Sequence, residues 1–457
     1  VSLAVDGLIS GLDTTSLINS LMELEAGPQT LLKAKVTTSN TFVTALQGLN
    51  ASIASLATLA TKNTVANALN LYSATSSNSS ITTTVSTGAN TGSLDVVVGA
   101  LAQAKSGVTA AMTEFSGTSF TVVGSDGVAI DIEADSNSLD DVASAINASS
   151  AGITATKVAS GTNAAGDKQY RLQLVADDTG LIGAFELYQG TSGDLANATN
   201  VLEATGAAVI TAAQDAQVAL WAGTAAAQNI TSSTNTFADL LPGVAVTVSK
   251  VSTDPVTITV ARDNAAVSDI AEKLVSSLNT VFALISTKSA VVNSTDTSGN
   301  AVVSAGVFSG DSTVRDVKQL ILDAASYPVD GRSPSEIGIS ITKSGTMEFD
   351  ADKFAAAMKD DPEHVEKVLA EISSRVAAAA TSASDKYDGM ITGKITGQES
   401  LVKSLGTQID NWDLRLTSRR STLERTYASL EVQLSNMNAQ SAWLTAQVDG
   451  LNSANGK

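Results

Sequence analysis

The chain contains no cysteine and a single histidine, His364. The first absence removes disulfides, thiolate nucleophiles and thiolate metal sites together, and leaves the redox compartment open; the second removes any cluster of imidazole ligands. Lone-acid, lysine or serine chemistry stays formally open, but His364 follows Asp361-Pro362-Glu363 in the first turn of an expected helix, the place of a solvated residue rather than a catalyst. Aromatic residues make up only 4% of the chain, so little cohesion comes from aromatic cores, and a total of 6 prolines permits long helices. Residues 1–30 hold no lysine or arginine and no apolar run of signal-peptide length, so no cleaved secretory signal is expected. No segment is expected to reach membrane-spanning length either.

What is present is a globular composition. The 457 residues are 43% hydrophobic and 16% charged, enough for about two to four domains. The net charge of −19 is unevenly placed: residues 65–393 carry 17 basic against 36 acidic side chains, while residues 1–64 carry 3 against 4 and residues 394–457 carry 7 against 6. An acidic middle repels polyanions, so no nucleic acid and no membrane insertion are expected. Near-neutral ends can pack against each other or against like subunits. Asp131, Glu133, Asp135 and Asn137 lack the central glycine and distal glutamate of a calcium loop and read as a strand edge with turn acids, and Arg415, Arg419, Arg420 and Arg425 lie among Asp413 and Glu424 and read as a solvated or subunit-pairing face, not a nucleic-acid site. No catalytic residue, metal or cofactor is expected, and the chain is not read as an enzyme.

The two ends read as helical. Val402, Ile409, Leu416, Leu423, Leu430, Met437, Leu444 and Leu451 recur every seven residues, the spacing of a coiled-coil seam. The second row, Leu405 and Trp412, fails at Arg419 and resumes one residue over at Tyr427, Leu434, Ser441 and Val448. A helix over this stretch is about 75 Å long and must lie along another long element. Phe42, Leu46, Leu49, Ile53, Leu56 and Ala60 form a second heptad run, with an ordinary core helix as the competing reading. Ahead of it Leu17, Leu21 and Leu24 with Ile18 make a helical face opening after the N-cap Asp13, and Gly27-Pro28 interrupts that helix.

The middle turns to serine, threonine and glycine with alternating apolar runs. Ile81–Val85, Leu94–Val98, Val128–Ile132, Ile153–Val158, Tyr170–Val175, Val244–Val248 and Val256–Val260 read as strands, and Ser138 starts a short helix burying Leu139, Val142 and Ile146. Helical spacing returns at Val267–Leu278 and Val314–Ile321, and a hairpin turns at Ser344-Gly345 between Ile337–Ile341 and Met347–Phe349. The fold class is therefore α+β and multidomain: terminal helical coiled-coil or bundle legs carrying inserted β-rich head domains, discontinuous in sequence. The expected divisions are 1–40 with 420–457, a terminal helical coiled-coil domain; 41–70 with 265–419, a helical leg with a β-hairpin; 71–104 with 214–264, a β-rich head; and 105–213, an outer α+β head.

Several short motifs in order resemble the bacterial flagellar hook-associated protein 2 family, the filament-cap proteins. They are Gly7-Leu-Ile-Ser-Gly-Leu-Asp13, Leu101-Ala-Gln-Ala104, Ala213-Gln-Asp-Ala216, Leu241-Pro-Gly243, Gly310-Asp-Ser312, Ile337 to Asp350, and Met437-Asn438 to Trp443-Leu444. Trp221 and the stretch Leu181 to Thr211 depart from the family pattern. The resemblance implies a homo-oligomeric ring of about five subunits at the extracellular tip of the flagellum, exported through the flagellar channel without a cleaved signal. Implied partners are flagellin, hook-filament junction proteins and a cytoplasmic export chaperone at the C-terminal helix. Subunit contacts are expected from Gly11, Leu12, Asp13, Leu17, Leu21 and Leu24 at one end and from Leu416, Leu423, Leu430, Leu434, Met437, Leu444 and Leu451 at the other. Another axial protein, flagellin or a junction protein, is the nearest alternative. A surface adhesin using the head domains is the alternative from a different class, although no aromatic cluster there points to glycans.

Overall fold

The computed structural model describes residues 13–86, 88–295 and 297–454, with side chains through residue 450. The chain divides into two compact units, one made from both ends of the sequence, Val1–Leu69 with Val267–Lys457, and one from Asn70–Ala266 between them. The helices are α1 (Thr14–Glu25), α2 (Gly27–Lys62), α3 (Leu139–Ala148), α4 (Asn264–Ser289), α5 (Ser312–Ser326), α6 (Ala351–Asp360), α7 (Pro362–Ser384) and α8 (Met390–Ala454). The α+β class with helical ends around a β-rich insertion is the one the patterning predicts.

In the helical unit α2 supplies the central stripe. Leu46, Leu49, Ile53, Leu56 and Ala60 are fully buried, and α2 packs on α7 and α8. Helix α7 answers with Val365, Leu369, Ile372, Val376 and Ala380. Each Leu-sized side chain taken out of water contributes roughly 1.5–3 kcal/mol, so this stripe organises the unit. Phe42, at its head, meets Phe308 edge-on with ring centroids 5.9 Å apart. The heptad run is thus an intrachain core helix.

The same segment corrects one expectation. Gly27–Lys62 is long and apolar enough, by length and composition, to cross a bilayer, because no charged residue falls between Lys35 and Lys62. Its apolar row is the core stripe just described.

Capping fixes where the shorter helices begin. Asp311 caps α5, its carboxylate accepting from Val314 N at 3.0 Å and pairing with Lys394 of α8 at 2.9 Å. Burial penalises the charged form of Asp311, but the Val314 N–H and the Lys394 ammonium outweigh it and hold the carboxyl below its ordinary range. Asp361 caps α7 with Pro362 in the first turn. The chain reverses from α7 into α8 at Gly389, where a Cβ would lie 2.5 Å from both Asp385 N and Asp385 O, so only glycine fits. The predicted hairpin pairs Ile339 with Phe349 and Ile341 with Met347. The Asn279 side chain anchors it to α4 by bonding both Met347 N (2.8 Å) and Met347 O (2.7 Å).

The inserted unit holds two cores. In the first, a five-stranded sheet in the order Tyr72–Ser76, Val256–Arg262, Gly92–Ala100, Ala216–Leu220, Gln228–Ser232 shares a core with a three-stranded sheet, Thr236–Leu241, Val244–Val248, Ile81–Val85. Alternation sets the faces: Val96, Val98, Val218 and Ile258 point inward and are fully buried, while Asp95 stays exposed. The second core lies between two four-stranded sheets and α3, and is built on Phe120, Val122, Leu139, Ile146, Leu172, Leu174 and Leu187. Ser138 caps α3 through Asp141 N at 3.2 Å. The Asp141 carboxylate accepts from the Ser136 and Ser138 hydroxyls, which hold it below the usual carboxylate range.

Candidate assembly interface

Among the described residues no group of three or more His, Asp or Glu converges as a metal site. Two acids of neighbouring strand positions in the inserted unit, Asp131 and Glu133, are held by hydroxyls. Asp131 accepts from Ser192 Oγ (2.6 Å), Thr121 Oγ1 (2.7 Å) and Ser192 N (2.7 Å), and these bonds keep its carboxyl low. Glu133 is lowered in the same way by Ser119 and Thr118. What stands out instead is an apolar surface on the long helices.

Helix α1 lies against α8. Its buried row is Thr14, Ile18 and Met22, spaced four apart. Asp13 caps it by accepting from Ser16 N at 2.7 Å. At the rim, Arg419 bonds Glu25 at 2.9 Å, Arg420 donates to Asn19 Oδ1 at 2.8 Å, and Gln29 donates to Asp413. As residue numbers rise on α1 and α2 they fall on α8, so the helices run antiparallel. Leu17 and Leu24 lie on the open side of α1, 42% and 79% exposed, with Leu21 half-buried. Leu31, seven residues on from Leu24, is also exposed and extends that face onto α2. Gly11 and Leu12 lie outside the described residues.

Helix α8 has 65 residues and is about 97 Å long. Leu405 is buried, and Val402, Ile409, Trp412, Leu416 and Leu423 are half-buried along α2 and α1. Arg415 sits over the Trp412 ring at 4.3 Å. Past Leu423 the seven-spaced row itself becomes exposed, although Glu431 beside it is buried. Leu434 is half-buried, but Leu430, Met437 and Leu444 are 42%, 63% and 56% exposed, and Val432, Trp443 and Val448 are open beside them. The Leu451 side chain lies outside those described. From Thr426 to Gly456 the charges are Glu431 and Asp449 alone. The far part of α8 thus presents exposed apolar side chains with little charge between them.

Sequence models of known families match on both sides of the insertion. Residues 10–105 match the flagellar hook-associated protein 2 N-terminus, and residues 213–439 match the flagellar hook-associated protein 2 C-terminus. The chain belongs to the flagellar hook-associated protein 2 family. Flagellar hook-associated protein 2 of Escherichia coli is 27% identical over 478 residues, covering 99% of this chain and 98% of its own. The A-type flagellar hook-associated protein 2 of Pseudomonas aeruginosa is 25% identical over 483 residues, covering 98% of each. A crystal structure of the flagellar cap protein FliD from Escherichia coli superimposes with a TM-score of 0.59 at 24% identity, over 78% of this chain and 99% of that one, a likeness of fold.

The hairpin of Val291–Thr295 with Ala301–Ala305, both strands exposed throughout, is an element that sequence reasoning did not find. Its short Val-Val runs flank Thr297-Ser-Gly-Asn300, a turn signal that was there to be read. The exposed Trp221 opens the turn after Ala216–Leu220 with a φ of +53°.

Proposed function

We propose that this chain is a flagellar filament cap that acts by assembly and not by catalysis. Copies associate into a ring, about five by family resemblance, at the extracellular distal end of the flagellum. The helical unit docks on the growing filament or the hook-filament junction, and the acidic β-rich unit closes the end, so that flagellin arriving through the channel folds and inserts instead of escaping. Export proceeds through the flagellar channel, with a cytoplasmic chaperone masking the C-terminal helix beforehand. The working division is into four parts at the boundaries given above, the legs being 1–40 with 420–457 and 41–70 with 265–419.

One observation supports this reading: the seven-spaced row of α8 is half-buried against the chain's own helices up to Leu423, whereas Leu430, Met437 and Leu444 beyond it are exposed. The uncovered half is the surface that neighbouring copies or axial subunits bury, with the open α1 face at Leu17 and Leu24 as the counterpart at the other end. Gly11, Leu12, Asp13 and Leu21, and Leu416, Leu434 and Leu451, belong to the same contacts. The contact surfaces are leucine, alanine, serine and glutamine with few ion pairs, which suits an interface that must be released and remade as the filament lengthens.

Removal of residues 430–457 tests it. The truncated chain should keep the folded inserted unit, fail to assemble, and leave cells that shed flagellin monomer. Normal filament growth from the truncated chain would reject the proposal.

A further inference from the structure

The inserted unit Asn70–Ala266 holds 18 carboxylates against 6 cations, so two copies repel one another wherever charged surfaces meet. Its four sheets end in eight edge strands. Six are closed in ways that prevent strand pairing. Tyr72–Ser76 and Ile81–Val85 cover each other, with Thr83 Oγ1 donating to Ala74 O at 2.7 Å. Ala129–Glu133 carries Asp131 and Glu133, Thr236–Leu241 carries Asp239, Ile153–Thr162 carries Lys157 and packs under α3, and Thr199–Asn200 is two residues long.

The other two edges, Ala208–Thr211 and Gln228–Ser232, have neither charge nor cover. Each is paired on one side only, to Ser106–Val108 and to Ala216–Leu220. Val209 and Ile210 are 48% and 64% exposed, and Asn229 and Thr231 are exposed. Both edges lie in the run Ala204–Ala238, in which Asp215 is the sole charge. The Asp215 carboxylate is turned back onto its own chain, accepting from Leu181 N at 2.6 Å.

We infer that these two edges are complementary halves of one contact between copies of this chain: Ala208–Thr211 of one copy adds as a strand to Gln228–Ser232 of the next. A second copy is the occupant because an acidic body can approach its like only through neutral windows, and each copy carries one such window for each half of the contact. Four residues of overlap span about 13 Å. The two edges differ, so the contact is heterologous, and repetition around a closing rotation gives a ring without leaving an open edge. The inference rests on the reading that copies assemble, and adds which strands meet.

The absence of cysteine makes the test clean. Val209→Cys and Asn229→Cys single variants of the full chain are oxidised separately and mixed, with far-UV circular dichroism confirming their fold. The expected result is a disulfide-linked dimer in the mixture and in neither variant alone, and a ladder of higher multimers from the double variant. A mixture that links no better than its components, while sedimentation shows the same assembly as the parent, overturns the strand contact and leaves assembly standing. Linking within the Val209→Cys variant alone overturns the heterologous arrangement. Preferential linking of either edge to Val303→Cys, on the exposed hairpin, overturns the choice of occupant strand. A parent that stays monomeric at every concentration rejects assembly and the strand contact together.

Discussion

Replacing the exposed part of the α8 row with glutamine should weaken assembly without unfolding the chain. In Leu430→Gln, Met437→Gln and Leu444→Gln together, helix propensity is nearly unchanged, because leucine, methionine and glutamine are all good helix formers. These three side chains are 42%, 63% and 56% exposed in the single chain. Full burial of such a side chain contributes roughly 1.5–3 kcal/mol, so covering the exposed fractions contributes about 2.5–5 kcal/mol per subunit before ordering is subtracted. After that subtraction, association should weaken on the order of 10²-fold, which corresponds to about 2.7 kcal/mol. Sedimentation velocity across a concentration series reads the shift. Far-UV circular dichroism and the urea midpoint should stay at parental values, since no buried residue is touched. Unchanged association of the triple variant would refute the reasoning, and so would a collapse of the monomer fold.

Other perturbations separate the parts of the account. Asp311→Asn keeps an acceptor for Val314 N but loses the charge facing Lys394, and should lower stability by about 1–2 kcal/mol near neutral pH, read by urea unfolding at 222 nm. Because the folded pKa of Asp311 is depressed, its contribution is present above the unfolded pKa, about 3.9, and is lost as pH falls through the folded value; in the Asp311→Asn variant that acid-limb loss should be smaller. Ile18→Ala should loosen α1 from α8 by about 2–4 kcal/mol, seen as faster amide exchange over Thr14–Glu25, whereas Arg419→Ala, which removes a half-exposed ion pair, should change exchange there by less than about 1 kcal/mol. Leu49→Ala, at a fully buried position of α2, should cost roughly 2–5 kcal/mol in urea unfolding of the helical unit, and a cost below about 1 kcal/mol would contradict its place in the core.

Periodicity made the ends legible and left their partners open. The row Leu46, Leu49, Ile53, Leu56, Ala60 could be read from spacing alone, since every member is buried in one stripe. Helix α1 is apolar on two faces, and spacing could not say that Thr14, Ile18 and Met22 would meet α8 while Leu17 and Leu24 stayed open. The distinction depends on where the other helix lies. The row from Val402 to Leu451 was legible as a seven-residue repeat, but spacing within α8 could not say that Leu416 and Leu423 would be half-buried while Leu430, Met437 and Leu444 stayed exposed, because that depends on where the other helices lie. Strand alternation located Leu94–Val98 and Val256–Val260 because one face is buried and the other wet. It missed Val291–Thr295 and Ala301–Ala305, which are exposed on both faces and so have no inside to encode.

Hydroxyl-radical footprinting of Met437 and Trp443, 63% exposed each in the single chain, tests the central claim most directly. The account predicts rapid oxidation of both side chains in the isolated subunit and strong protection of both in caps mounted on filaments. Equal oxidation in the two states would contradict it.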